Sequence, residues 1–277
     1  MSANRIAAGD LAARLGEPGL RIIDATVFLS FPEGQPLIEP GTAAFATEHI
    51  PGAVFADLTA PGFTEHGGEA PFAAAASEDF AAAVAELGVN DADTVVVYDS
   101  VNGIWATRMW WQFQLEGHDD VRVLDGGLTA WKSAGLPVAP GEGPTPAAGS
   151  FTARRRPERV VSTQQVLEAT DDDSVLLIEA LDAKLYERGH IPGAVNVPAA
   201  SLYREDGTLR PAGELREIFQ AVGALEPGVR PVAYCGGGIA ATAVTFALQE
   251  LGRSDVAVYD GSKNAWTADP ARPLVAS

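Results

Sequence analysis

An internal duplication constrains this chain more than any other feature. "HIPGAVFADL" from His49 returns as "HIPGAVNVPA" from His190, an offset of 141 residues. Further along, "VVVYDSVNGIWATRMWWQFQLEGHDDVRVLDGGLTAW" is answered by "PVAYCGGGIAATAVTFALQELGRSDVAVYDGSKNAW". This pairs Asp99 with Cys235 at an offset of 136, and Asp125 with Asp260 and Trp131 with Trp266 at 135. A period of that length is a whole domain, not a solenoid unit, so the 277 residues read as two homologous halves. Between them "GLPVAPGEGPTPAAGSFTARRRPE" is rich in Pro and Gly, lacks either apolar periodicity, and reads as a linker. With a boundary near Gly149, the predicted domains are 1–149 and 150–277.

Each half alternates short β-branched runs with amphipathic helical patterns. The runs are "RIID", "VVVY" and "VRVL" in the first half and "VLLI", "PVAY" and "VAVY" in the second. That alternation predicts an α/β fold, each half a mainly parallel sheet flanked by helices. In such sheets functional groups gather where the carboxyl ends of strands lead into helices, which is where Asp99 and Cys235 both stand. The repeated "HIPGA" reads first as turn geometry, since Pro192 fixes its own φ and Gly193 permits an unusual one. A catalytic role for His49 or His190 is the lesser reading.

Composition removes several function classes. A formal charge of −18 repels phosphate backbones and anionic membranes, so neither nucleic acid nor a membrane is expected as a partner. The one basic run, "RRRPER" from Arg154 to Arg159, reads as solvated decoration of the linker. No uninterrupted apolar window is long enough to span a bilayer, and "MSANRIAAGDLAARLGEPG" lacks the pattern of an export leader. A single cysteine excludes an intrachain disulfide, and four scattered histidines show no zinc spacing. The expectation is a protein of the reducing cytoplasm with no metal.

Cys235 ends an apolar run and is followed by three glycines and then the helical pattern of "IAATAVTFALQEL". Glycine costs about 0.5 to 1 kcal/mol relative to Ala in regular structure, so three together mark a place where the backbone itself is used. Backbone N–H groups at a helix start form an anion cradle and favour a thiolate at Cys235. The bland reading, a small buried hydrophobe, needs no such cradle. Phosphate transfer would need Arg six positions after the cysteine, where Ala241 stands, and a disulfide reductase would need a second cysteine. Sulfur transfer through a cysteine persulfide remains.

The repeated "HIPGAV", "LDGGLTAWKSAGLPV", "YCGGGIAA" and "VYDGSKNAW" together resemble the two-domain rhodanese family, the thiosulfate and 3-mercaptopyruvate sulfurtransferases. The resemblance spans almost the whole chain. It implies two tandem rhodanese-like domains, the first non-catalytic with Asp99 in the cysteine position, the second carrying the active loop, and a site between the halves. It also implies Cys235 as the catalytic persulfide carrier, with Gly236, Gly237, Gly238, Ile239, Ala240 and Ala241 cradling the outer sulfur. No cofactor is called for. The partners implied are a small-molecule sulfur donor and acceptor, with a thioredoxin-like thiol protein as a further acceptor.

Two departures from the family pattern bear on the donor. Thiosulfate-preferring relatives carry cations after the cysteine and mercaptopyruvate-preferring ones Gly then Ser, whereas here Gly236 and Gly237 follow. Leu181 stands where the family has a donor-binding Arg, and Arg188, Lys184 or Arg204 are the candidate replacements. By resemblance, Asp57 and His66 of the first half match an Asp and a His that approach the loop. A rival expectation is a rhodanese-like binding or regulatory protein with weak or no turnover.

Overall fold

The six apolar runs form strands because β-branched residues suit a pleated, buried surface. The computed structural model describes residues 4–30, 32–34, 37–65 and 70–276, so His66 lies outside the described residues. The chain divides into two units, the first comprising Met1–Thr64, Ala74–Arg155 and Glu205–Thr208, the second Glu65–Ala73, Arg156–Arg204 and Leu209–Ser277.

The first unit contains β1 (Arg5–Ile6), β2 (Leu20–Asp24), β3 (Val27–Ser30), β4 (Leu37–Pro40), β5 (Val54–Phe55), β6 (Thr94–Tyr98) and β7 (Val121–Leu124). Its helices are α1 (Ala8–Ala12), α2 (Thr42–Thr47), α3 (Ser77–Glu86), α4 (Ile104–Leu115) and α5 (Gly127–Ser133). The second unit contains β8 (Val160–Val161), β9 (Val175–Glu179), β10 (Val195–Asn196), β11 (Arg230–Tyr234) and β12 (Ala257–Tyr259). Its helices are α6 (Thr163–Ala169), α7 (Ala183–Arg188), α8 (Ala212–Ala221), α9 (Ala241–Glu250) and α10 (Ser262–Thr267).

The sheet of the first unit runs β1-β7-β6-β2-β5, and that of the second, β8-β12-β11-β9-β10, repeats it strand for strand. All pairings within both sheets are parallel. Strands β6 and β11 are central, and their interior residues are buried, which explains unbroken apolar runs rather than alternation. The antiparallel hairpin β3–β4 belongs to the first unit. Helices α4 and α9, which follow the central strands, are buried along almost their whole length. Among the described residues no helix is long and apolar enough to cross a membrane.

The "HIPGA" repeats fold as the turn reading requires. Ala53 N–H donates to Ile50 O and Ala194 N–H to Ile191 O, with Gly52 at φ 84° and Gly193 at φ 78°. Pro then Gly with positive φ at the centre is the type II turn. His49 and His190 are buried beside it. Each ring nitrogen Nδ1 meets a carbonyl four residues back, and each ring stacks on an aromatic, Phe45 at 4.0 Å and Tyr186 at 3.8 Å.

The stretch read as a linker is held against the first unit. Gly149 N–H donates to Ala85 O at 2.7 Å, and a Cβ at Gly149 would fall 2.0 Å from Val89 O, so the close approach requires glycine. The basic run is not simply solvated: Arg155 pairs with buried Glu116 at 3.0 Å and also donates to Ala75 O.

Candidate active site

Strand β11 is short because the sequence "RPVAY" ends where "CGGG" begins, and glycines favour neither strand nor helix. Cys235 is therefore the first residue beyond the sheet, 2% exposed, at the carboxyl end of the central strand. Residues 236–239 form a loop, and α9 starts at Ala241. Gly238 adopts φ 85°, which only glycine enters without strain.

The start of α10 clamps this loop from one side. Cys235 N–H donates to Ser262 Oγ at 3.0 Å, Lys263 N–H donates to Cys235 O at 3.0 Å, and Asn264 N–H donates to Gly236 O at 2.9 Å. In a trans peptide the C=O and the following N–H point in opposite directions. Tying the carbonyls of Cys235 and Gly236 to α10 therefore turns the N–H groups of Gly236 and Gly237 away from it. Among the described residues, no acceptor meets the N–H groups of Gly236, Gly237, Ile239, Ala240 or Ala241. Ile239 and Ala241 are buried and Gly236, Gly237 and Ala240 half-buried, places where backbone donors are rarely left so, and a row of them before a helix start can receive an anion.

Ser262 holds its hydroxyl in place at a backbone cost. It is fully buried with φ 51°, a left-handed conformation unusual for a residue with a side chain, and its Oγ donates in turn to Tyr259 O at 2.8 Å. Beneath the loop lies a polar network. Fully buried Glu179, the last residue of β9, accepts from Tyr234 OH at 2.7 Å and from Lys263 Nζ at 3.0 Å. Lys263 Nζ also donates to the carbonyls of Leu185 and Gly189 at the end of α7, and Tyr234 OH accepts from Ile191 N–H at 3.1 Å. Burial, and next the charge of Glu179, push the Tyr234 phenol far above its ordinary value, so it acts as a neutral donor.

The equivalent loop of the first unit is already filled. Asp99 is 2% exposed; its Oδ1 accepts from the N–H groups of Val101, Asn102 and Gly103, and its Oδ2 from those of Trp105 and Ala106. Five backbone donors converging on one carboxyl group show that a loop at this place in the fold can bind an anion.

The expected site residues divide by position. Cys235 and the loop from Gly236 to Ala241 form one continuous feature of the second unit. Arg188 is exposed at the end of α7, one residue before the Gly189 carbonyl that Lys263 binds. Lys184 is exposed too, and Arg204 pairs with Glu214 at 3.3 Å. Leu181 uses its carbonyl to accept from Asn196 Nδ2. Asp57 belongs to the first unit, where its Oδ1 accepts from Thr59 N–H at 2.9 Å and from the Thr59 hydroxyl. Among the described residues no three His, Cys, Asp or Glu side chains gather as metal ligands.

Sequence reasoning missed Ser262, Lys263, Asn264 and Glu179. A signal was present: "DGSKN" stands where the first half has "DGGLT", so the repeats diverge at the three residues that clamp the loop.

The chain matches the rhodanese-like domain twice, over residues 7–134 and 162–269. It belongs to the rhodanese family. The 3-mercaptopyruvate sulfurtransferase of Escherichia coli K12 is 34% identical over 276 residues, covering 95% of each chain. The thiosulfate/3-mercaptopyruvate sulfurtransferase 2 of Arabidopsis thaliana is 31% identical over 299 residues, covering 96% of this chain and 85% of the relative. Among solved structures, the E. coli 3-mercaptopyruvate sulfurtransferase SseA superposes with a TM-score of 0.84 at 34% identity, covering 95% of this chain and 99% of that one. Both halves, then, are rhodanese-like domains with the parallel sheet and flanking helices that the alternation of runs and helical patterns predicted.

Proposed function

We propose that this rhodanese is a sulfurtransferase that carries sulfane sulfur on Cys235, taking it from a small anionic donor, thiosulfate or 3-mercaptopyruvate, and giving it to a thiophilic acceptor such as cyanide or a thiol. The observation that carries the reading is the Cys235 loop: a thiol at a strand end, the carbonyls of Cys235 and Gly236 tied back to α10, and the N–H groups of Gly236, Gly237, Ile239, Ala240 and Ala241 satisfied by no described residue. The names of the E. coli and Arabidopsis relatives support the reaction class.

In the first half-reaction the Cys235 thiolate attacks the donor sulfur and a Sγ–S bond forms. With thiosulfate the S–S bond breaks and sulfite leaves with the electron pair. With 3-mercaptopyruvate the C–S bond breaks and the thiol proton ends on the methyl carbon of pyruvate. The persulfide keeps one negative charge on its outer sulfur, which the loop N–H groups and the start of α9 stabilise. In the second half-reaction cyanide or a thiolate attacks that sulfur and Cys235 leaves as thiolate. Thioredoxin-like thiol proteins fit the acceptor role, and the lone cysteine suits a reducing cytoplasm.

Donor treatment of the full chain followed by mass spectrometry tests the reading. One added sulfur on Cys235, removed by cyanide and absent in Cys235→Ser, is expected. No adduct from either donor would overturn it.

A further inference from the structure

We propose that the Asn264 side-chain amide is a specificity-determining group of the Cys235 loop, donating a hydrogen bond to the anionic oxygen group, carboxylate or sulfonate, of the sulfur donor. The inference rests on Cys235 being a sulfur carrier and says what recognises the rest of the donor molecule.

Gly237 points to Asn264. Its backbone lies outside the left-handed region that Gly238 occupies, so conformation does not demand glycine there. Space does. A Cβ at Gly237 would stand 3.1 Å from Asn264 Nδ2 and 3.4 Å from Phe72 Cδ2, a segment of the same unit. The room left by the missing side chain, two residues after the thiol, is taken by the amide.

Asn264 is also fixed and available. Its N–H is bound to Gly236 O at 2.9 Å, which holds the side chain's origin against the loop. The side chain is exposed and makes no hydrogen bond to a described residue, leaving two N–H donors unused. The nearby cation is already engaged: Lys263 Nζ is held by Glu179 and the carbonyls of Leu185 and Gly189. An amide donor 3.1 Å from the Cβ position of Gly237, two residues after the thiol, can take an oxyanion on the α10 side of the loop. Thiosulfate and 3-mercaptopyruvate both place one within a few bonds of the transferable sulfur.

The test uses the full chain with Asn264→Ala, Asn264→Asp, Gly237→Ser and the Gly237→Ser/Asn264→Ala double variant. Steady-state kinetics with each donor are read beside Cys235 alkylation by neutral iodoacetamide. Asn264→Ala is expected to raise KM about tenfold while the alkylation rate holds, and Asn264→Asp to raise it further by repelling the donor. Gly237→Ser should raise KM in the wild-type background and do little in the Asn264→Ala background, where its side chain has room. The donor whose KM moves more identifies which oxyanion the amide binds. KM values within about twofold of wild type in both Asn264 variants, with persulfide still forming on Cys235, would overturn the inference and leave the sulfur-carrier reading standing. Absence of persulfide in the wild type would overturn both.

Discussion

The two loops at the ends of β6 and β11 have the same fold around them and opposite contents. In the first, the Asp99 carboxyl group takes five backbone N–H bonds and closes the cradle from within. In the second, Cys235 leaves three of the five corresponding donors, the N–H groups of Gly237, Ile239 and Ala241, facing no described acceptor. The first strand-loop-helix thus uses its N–H groups to hold its own carboxyl group, and on the proposed reading the second keeps its unsatisfied ones for the chemistry of Cys235.

The sharpest way to break that comparison is to remove both side chains. Asp99→Ala strands five backbone donors, of which those of Trp105 and Ala106 are buried, and should destabilise the protein by about 3 to 5 kcal/mol in denaturant unfolding. Cys235→Ser should cost less than about 1 kcal/mol while abolishing sulfur transfer. Equal losses of stability would mean that the second loop is as structural as the first.

Next come the buried acids under the two loops. Glu179 is paired with Lys263, whereas Asp24 in the equivalent place leans on Thr26, whose N–H and hydroxyl both reach Oδ1. Glu179→Gln should therefore cost about 2 to 3 kcal/mol by leaving the Lys263 ammonium without its counter-charge. Asp24→Asn should stay within about 1 kcal/mol of wild type near neutral pH. Burial holds the Asp24 carboxyl above its ordinary value, with the Thr26 and Tyr98 hydrogen bonds pulling the other way. A raised carboxyl contributes stability that is full below its unfolded value of about 3.9 and is lost as pH rises through the folded one. Wild type should accordingly lose ground to Asp24→Asn as pH climbs from acid toward neutrality, and a parallel pair of stability curves would contradict this.

The smallest difference between paired variants is expected at the α10 clamp. Gly127 and Ser262 occupy equivalent left-handed positions, φ 55° and 51°, and only the second carries a hydroxyl. Ser262→Ala loses the bond to Cys235 N–H and keeps the strain, so it should cost about 1 to 2 kcal/mol. Ser262→Gly loses the same bond but relaxes the backbone, recovering about 1 kcal/mol in melting experiments. Identical stabilities for the two variants would show that the left-handed backbone stores no strain.

Much of the architecture could be read in advance. The spacing of "HIPGAV", the glycines after Cys235 and the six apolar runs are local or periodic signals, and local signals survive in a string of letters. The exposed Arg188 illustrates the opposite case. Its charge made it a candidate, but the cation that reaches the network beneath the loop is Lys263, 75 positions further along.

By itself, then, the sequence determined two α/β halves, the parallel sheets, the type II turns and the one thiol at a strand end, because each is set by repeat, period or the conformational range of Gly and Pro. Only the tertiary structure decided that α10 holds the loop by its carbonyls and that Glu179 binds both Tyr234 and Lys263. It alone revealed that Asn264 fills the space Gly237 leaves. Those contacts join residues far apart in the chain, and which of them meet depends on how β9, β11 and β12 line up in the sheet.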